Sequence, residues 1–326
     1  EMRGCSDKGG AEMKKVLAIG GTGAMGTYLV PKLVERGYKV DVIANDAVLP
    51  EDSANLMYRK ADMYDTDTVR EVLKNNYDGV VDFMIYDEKV IAHYLPIYLD
   101  NTDHYIYFSS YRVFADKEHP IVESSPLGAD VSDDLDYRYA NDYGIYKAKG
   151  EKLLRGYGRN NWTIVRPAIT YSKKRCQLMT LERQHILKYL DAGKPIPLCE
   201  AAKNVQGTMS WAGDVAEMLA RLLFNPAAIK EDFNVTTSEH HAWDEIADYY
   251  KDIFGLDHVY VGEEEYLTAR DGGVYDWNKW QLRYDRMFDR IMDNSKVLKT
   301  TGMKQSDLTT LYDGLSREKR TILERP

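Results

Sequence analysis

The sequence predicts an α/β protein: a doubly wound parallel sheet of Rossmann type that carries a smaller mixed α/β lobe in its C-terminal half. Three observations predict it. Short apolar runs without polar alternation, as expected of strands buried on both faces, recur from Met13 to Ala168. Helical periodicities fill the intervals between them. The first run leads straight into a glycine-rich turn, KKVLAIGGTGAMG (Lys14–Gly26), after which Tyr28, Leu29, Leu33 and Val34 recur at helical spacing until Gly37.

In order, Val16–Ile19 is the first strand, and Gly20, Gly23 and Gly26 follow it with Thr22, Ala24 and Met25 between them. The first glycine suits a tight turn, the second a close backbone approach to phosphate, and the third close packing of helix on strand. Free N–H groups at the helix start would face an anion, so the loop is a candidate dinucleotide cradle, with an ordinary strand-to-helix turn as the alternative. Tyr38–Ala44 is the second strand, ending at Asn45, and Leu56–Lys60 the third. Asp65–Asn75 reads as helix, Val80–Ile85 as a fourth strand that includes Phe83 and Met84, Ile91–Leu99 as helix, and Tyr105–Ser109 as a fifth strand. Ser124–Asp142, rich in Ser, Asp, Gly and Pro, reads as a long loop over the site. A helix over Tyr143–Tyr157 and a sixth strand, Trp162–Arg166, complete the pattern at Pro167. Residues 13–170 therefore form a dinucleotide-binding domain to which 205–235 return, through a strand and helix over Thr208–Leu223. Residues 171–204, with a helix at Leu181–Leu190, and 236–326 form a substrate lobe; 1–12 read as a disordered leader.

Bulk composition narrows the function classes. With 326 residues, 44% hydrophobic and 29% charged, the chain has ample material for a core. Its net charge of −9 and the lack of a basic run argue against a nucleic-acid partner. Cys5, Cys176 and Cys199 lack metal-ligand spacing and read as reduced thiols. With no run of transmembrane length and no apolar centre in Glu1–Glu12, a cytoplasmic location is expected.

The chemistry centres on Tyr143 and Lys147, four apart on one helix face. A phenol normally ionises near pH 10, and a neighbouring ammonium stabilises the phenolate, which brings it toward acid/base work. The same spacing occurs at Tyr28/Lys32 and Tyr275/Lys279, but only Tyr143 follows the fifth strand. At that strand's C-terminal end, where ligands bind a parallel sheet, stand Ser109 and Ser110. Either can donate to a substrate oxygen or merely end the strand. His240-His241 lack companion ligands at metal spacing, so no metal site is predicted. Tyr275, Trp277, Trp280, Tyr284 and Phe288 read as core of the C-terminal lobe, with a sugar-stacking or dimer surface as the alternative. Lys173, Lys174 and Arg175 read as a solvated loop or as partners of a substrate phosphate.

The succession GGTGAMG, FSSYRVF, YGIYK and TIVRPAITY resembles the extended short-chain dehydrogenase/reductase family, of the nucleotide-sugar epimerase and dehydratase type. SWAGDVAEMLARLL and DNSKVLKTTGM extend the resemblance over nearly the whole chain. It implies Tyr143 as acid/base, Lys147 as the residue that holds the nicotinamide ribose and lowers the Tyr pKa, and Ser110, three before Val113-Phe114, as the third member. It also implies cofactor contacts at Gly20, Thr22, Gly23, Ala24, Met25, Gly26, Asn45, Asp62 with Met63, Phe83 with Met84, and Pro167. For Asp62 a helix-capping role is the rival.

The departures from that pattern shape the functional expectation. Ala44-Asn45-Asp46 lacks an acid at Ala44, yet no Arg or Lys occurs from Val40 to Leu56 while Asp46, Glu51 and Asp52 do, which favours NAD and leaves NADP open. Tyr111 and Arg112 replace the acidic pair of the sugar dehydratases, which disfavours water elimination. Gly207 falls roughly where an epimerase-type relative places an arginine on the substrate diphosphate, which speaks against a nucleotide-sugar substrate unless Lys203, Arg175 or a C-terminal basic residue substitutes. The expected substrate contacts are Ser110, Tyr111, Arg112, Lys174 and Arg175. The expectation is an NAD(P)-dependent epimerase of a sugar-like substrate, in a chain that could form a homodimer. A carbonyl reductase or dehydrogenase is the first alternative, and a non-catalytic dinucleotide-binding sensor or RNA-associated protein the second.

Overall fold

A computed structural model describes residues 13–325; the leader at 1–12, with Cys5, lies outside the described residues. Six strands, β1 (Lys15–Ile19), β2 (Lys39–Ala44), β3 (Leu56–Lys60), β4 (Gly79–Asp82), β5 (His104–Phe108) and β6 (Trp162–Val165), make up most of one sheet. Its order is β3-β2-β1-β4-β5-β6, closed by the strand Glu231–Phe233, and every pairing is parallel. The chain runs outward from β1 to β3, then crosses back to β4 on the other side of β1. That reversal opens a crevice at the carboxyl ends of β1 and β4, where ligands bind in sheets of this kind.

The strands form where the apolar runs predict because both faces are covered. Val16, Ala18, Val40, Val42 and Val81 face one buried cluster with Leu29, Leu33 and Leu219, whereas Leu17, Ile19, Ile43 and Val80 face another with Ile91, Leu95 and Tyr98. Three helices cover the first half: α1 (Gly26–Glu35), α2 (Thr66–Leu73) and α3 (Glu88–Asp100). Asp65 caps α2, its carboxylate accepting from the N–H groups of Asp67 and Thr68.

Several boundaries differ from expectation, each for a local reason. β4 stops at Asp82 rather than Ile85, because the Asp82 carboxylate accepts from the Met84 N–H at 3.0 Å and turns the chain out of the sheet. Ser124–Asp142 is not all loop: it holds two single helical turns, Gly128–Val131 and Leu135–Arg138, the second capped by Asp134. The strand Met209–Trp211 pairs with Ile169–Tyr171, outside the main sheet; it is Glu231–Phe233 that returns to β6. A short strand, Leu181–Glu182, precedes the helix Arg183–Ala192.

Trp243, Ile246, Tyr250, Tyr266 and Leu282 pack against Leu178, Ile196 and Leu198 in a core that also takes in Tyr111, Val113, Phe114 and Ile121. The aromatic stripe is not part of that core. Tyr275 and Trp277 are about half exposed, at 48% and 52%, because the segment lies across the mouth of the crevice instead of beneath it. Cys176 and Cys199 are buried and free.

Candidate active site

The glycine loop is built for an anion. Gly20 adopts φ +73°, the left-handed conformation that glycine alone takes without strain. A Cβ at Gly26 would lie 2.3 Å from the Gly21 carbonyl oxygen, so the third glycine lets the start of α1 rest on the turn. Met25 caps that helix with no side-chain bond, and the N–H groups of Ala24 and Met25 have no protein acceptor among the described residues. Orphan donors at a helix N-terminus, in a cradle that a Cβ would fill, fit a pyrophosphate.

A cavity of about 450 Å³ adjoins this loop, with Met25 in its wall. Ser110, Tyr111, Arg112, Tyr143, Pro167 and Arg175 of the predicted residues also line it. The paired serines separate cleanly. Ser109 donates to Glu151 at 2.5 Å, away from the cavity, while Ser110 faces the Tyr143 phenol. Tyr143 opens the helix Tyr143–Gly156, whose N-cap Asp142 accepts from the Gly144 N–H at 2.9 Å. Burial pushes the Tyr143 phenol above its usual 10; Arg112, Arg175 and the Ser110 hydroxyl pull it back.

Lys147 lies one turn deeper, 2% exposed, and its Nζ donates to the Phe108 carbonyl at 2.7 Å. Burial lowers its pKa to about 8, against the opposing fields of Asp82 and Glu151. Asp82, fully buried, is pushed up to about 6. Behind the helix, Arg166 grips Glu151 through two bonds of 2.8 and 2.6 Å and reaches Asp232 at 2.9 Å. The helix that begins at Tyr143 is thus tied to the end of the sheet by buried charge.

The remaining predicted residues distribute around two places. Phe83 packs on Phe108, ring centroids 4.5 Å apart, beside Gly20, and Met84 follows it at the carboxyl end of β4. Asn45 and Asp62 are exposed beyond β2 and β3, and Met63 is buried under the sheet. Asp62 does not cap α2; its carboxylate accepts from the Tyr64 N–H at 2.9 Å. Lys174 does not line the Tyr143 cavity. Its Nζ donates to the Thr22 carbonyl at 2.7 Å, and with Lys173 it borders a second cavity formed by Gly21, Thr22, Asp46 and Tyr58. The chain from Val40 to Leu56 supplies no cation there, but the fold brings two from the loop after Tyr171.

Other lining residues were not legible as site residues in sequence. Asp285 and Arg286 enter the cavity from a π-helical turn, Leu282–Arg286. Arg286 donates to the Tyr111 hydroxyl at 3.1 Å and to Asp285, and it is 3% exposed. Gln177, Trp277 and Trp280 complete the outer wall. Three arginines, Arg112, Arg175 and Arg286, face two carboxylates, Asp142 and Asp285, in this lining. Gly207 is elsewhere, with Trp243 against it, and it does not line the Tyr143 cavity. His241 is held by Glu239 at 2.7 Å and Glu245 at 2.9 Å, and among the described residues no cluster has the makings of a metal site.

A glycine-rich turn with unpaired N–H groups after the first strand, and a serine, tyrosine and lysine grouped at the carboxyl end of β5, are set on a doubly wound sheet of the nucleotide-dependent α/β enzyme class. The chain belongs to the NAD dependent epimerase/dehydratase family, whose model matches residues 16–236. It is 26% identical over 250 residues to the chloroplast stem-loop binding protein of 41 kDa b from Arabidopsis thaliana; the match takes in 72% of this chain and 61% of that protein, under two thirds of the relative's length. Among solved structures it is similar to the epimerase Mth375 of Methanothermobacter thermautotrophicus, with TM-score 0.72 and 16% identity over 95% of this chain and 92% of that one. The UDP-glucuronic acid 4-epimerase of Bacillus cereus, in complex with UDP-glucuronic acid and NAD, gives 0.70 and 16% over 94% and 98%. The UDP-glucose 4-epimerase of Thermus thermophilus, in complex with NAD, gives 0.68 and 16% over 94% and 98%. At these identities the likeness is one of fold.

Proposed function

We propose that this protein epimerises a sugar carried on a nucleoside diphosphate, with NAD as its cofactor. The observation that carries the reading is the grouping of Ser110 and Tyr143 on one cavity wall, Lys147 behind them, next to an anion cradle of unpaired N–H groups. Gly20 to Gly26 would hold the pyrophosphate. Asp46, which accepts from the Thr22 hydroxyl at 2.5 Å, would meet the adenosine ribose hydroxyls. When bound, the nicotinamide would supply reversible hydride chemistry, removal of a hydride from a carbinol carbon and its return to the opposite face of the resulting ketone.

The chain's own part is proton and charge management. Tyr143 takes the hydroxyl proton as the hydride leaves and restores it afterwards, while Ser110 donates to the same substrate oxygen. Arg175 and Arg286 leave the wall with an excess of positive charge suited to the diphosphate. The exposed Trp277 and its neighbour Trp280 offer flat faces for a base or a sugar ring.

The test is to denature the purified protein, identify released nicotinamide nucleotides by mass, and incubate native protein with UDP-glucose and UDP-glucuronic acid, separating products by chromatography. Conversion that is lost in Tyr143→Phe with cofactor retained supports the reading. A fully active Phe variant, or no nicotinamide binding at all, would sink it. The name of the Arabidopsis relative motivates a second reading, RNA association. The net charge of −9 speaks against it, and retention of a stem-loop RNA at about 0.15 M salt would favour it.

A further inference from the structure

Arg112 stands in an unusual place. Its side chain is 11% exposed, its guanidinium carbon lies 5.2 Å from the centroid of the Tyr143 ring, and its Nε has no hydrogen-bond partner. Two carboxylates hold it there from opposite sides: Asp142 at 3.2 Å, on the helix that Tyr143 begins, and Asp285 at 3.5 Å, in the C-terminal lobe. The approach depends on Gly144, where a Cβ would lie 2.7 Å from the Arg112 carbonyl oxygen. The turn Tyr111–Val113 is therefore pressed against the start of the acid/base helix, and Arg112 follows Ser110 in sequence by two residues.

We infer that Arg112 is a positioning residue for the acid/base step: clamped by Asp142 and Asp285, its guanidinium supplies a fixed positive charge that stabilises the Tyr143 phenolate alongside Lys147. The inference rests on the reading of Tyr143 as the acid/base. Lys147 is the weaker neighbour by geometry. Its Nζ is 5.7 Å from the ring centroid and commits a proton to the Phe108 carbonyl. A guanidinium stays charged at every pH at which the protein is folded, and this one donates to both oxygens of Asp142 through Nη2 while its Nε lies 3.5 Å from Asp285.

The other groups facing Tyr143 have been placed. Its own helix contributes Asp142, the Tyr146 ring at 5.5 Å and Lys147; the 110–113 turn contributes Ser110; the loop after Tyr171 contributes Arg175. β5 contributes the buried Tyr107, and the C-terminal lobe adds Asp285 and Arg286 to the same cavity. Of these, Arg112 and Arg175 act as cations on the phenol, and Arg175 is the one tied to a distant acid, Glu182 at 3.6 Å. Loss of Arg112 should therefore raise the phenol's pKa, with Arg175 and Lys147 left to support it.

The experiment labels tyrosine Cζ with carbon-13 in the full chain, identifies the Tyr143 signal by its absence in Tyr143→Phe, and titrates it by NMR from about pH 6 to about pH 12, with and without NAD. Arg112→Gln, which can still hydrogen-bond Asp142, should raise the midpoint by about 1 pH unit or more, and Arg112→Lys should restore most of the difference. A midpoint that Arg112→Gln leaves within about 0.3 units of wild type overturns the inference. Should Arg112→Gln fail to fold, Asp142→Asn decides instead. Asparagine keeps the helix cap while removing half of the counter-charge on Arg112, so the midpoint should fall, and an unchanged or raised one overturns the inference. Failure of the wild-type chain to bind NAD would count against the functional reading alone, since the cofactor-free titration still decides the role of Arg112.

Discussion

Replacing Arg166 by Met should be among the most costly single changes in this protein. Arg166 and Glu151 are each 2% exposed, and Arg166 donates two bonds to Glu151, one to the Glu123 carbonyl at 3.1 Å, and pairs with Asp232. Methionine fills much of the arginine stem but leaves Glu151 a buried carboxylate with the Ser109 hydroxyl at 2.5 Å and, as its remaining cation, Arg155 at 3.9 Å. Breaking a buried pair from one side costs about 3–5 kcal/mol, because the uncompensated charge remains. Asp232 suffers less, since Arg155 at 2.7 Å and Lys296 at 3.3 Å still reach it. The assay is urea unfolding followed by circular dichroism and tryptophan fluorescence, for Arg166→Met, Glu151→Gln and the double variant. Because Gln carries no charge, the double variant should be more stable than the sum of the singles by at least about 2 kcal/mol. An Arg166→Met cost below about 1 kcal/mol, or strict additivity, would refute the argument that this pair fastens the acid/base helix to the sheet.

Gly26→Ala sets a Cβ 2.3 Å from the Gly21 carbonyl oxygen, so α1 must retreat from the loop; NADH affinity, read by fluorescence titration, should fall at least about tenfold, and an unchanged affinity would show that the loop is not the cradle. His104 is 1% exposed, accepts from the Phe224 N–H at 2.9 Å, and burial lowers its pKa to about 4. Because the unfolded chain takes up this proton first, the stability is intact above about pH 6.5 and is lost as pH falls toward 4, by about 3 kcal/mol over the full interval. His104→Asn should flatten that limb of the stability–pH curve, and a curve as steep as wild type would contradict it. Arg175→Met should weaken UDP-glucuronic acid binding about tenfold by calorimetry, while NADH binding stays within about twofold.

The strands were readable because burial on both faces leaves runs such as Val16–Ile19 without polar interruption, and β3 was found even with Met57, Arg59 and Lys60 exposed. That Tyr143 and Lys147 share a helix face after the fifth strand was readable, because residues four apart on a helix lie together and the strand order sets this pair apart from Tyr28/Lys32 and Tyr275/Lys279. The carboxyl end of β4 was misplaced because Phe83, Met84 and Ile85 look like strand, and only the Asp82 side-chain bond to Met84 shows why they are not. The stripe from Tyr275 to Phe288 was misjudged for a different reason: aromatic spacing describes a helix face and is silent on what that face meets. Lys174 and Arg175, adjacent in sequence, part company in space, the first going to Thr22 and the second to the Tyr143 cavity. Nothing in the local sequence distinguishes them.

The π-helical turn at Leu282–Arg286 accounts for the hardest residues to foresee. A wide turn of this kind is one extra residue lodged in a helix, and it rotates everything downstream by about 100° relative to a regular helix. Here it sends two consecutive side chains, Asp285 and Arg286, into one cavity, which a regular helix would aim apart. The cavity wall therefore depends on reading frame as much as on residue identity. Inserting a single alanine after Arg283, itself exposed, would preserve every cavity-lining residue in the sequence and still turn the guanidinium of Arg286 away from Tyr111.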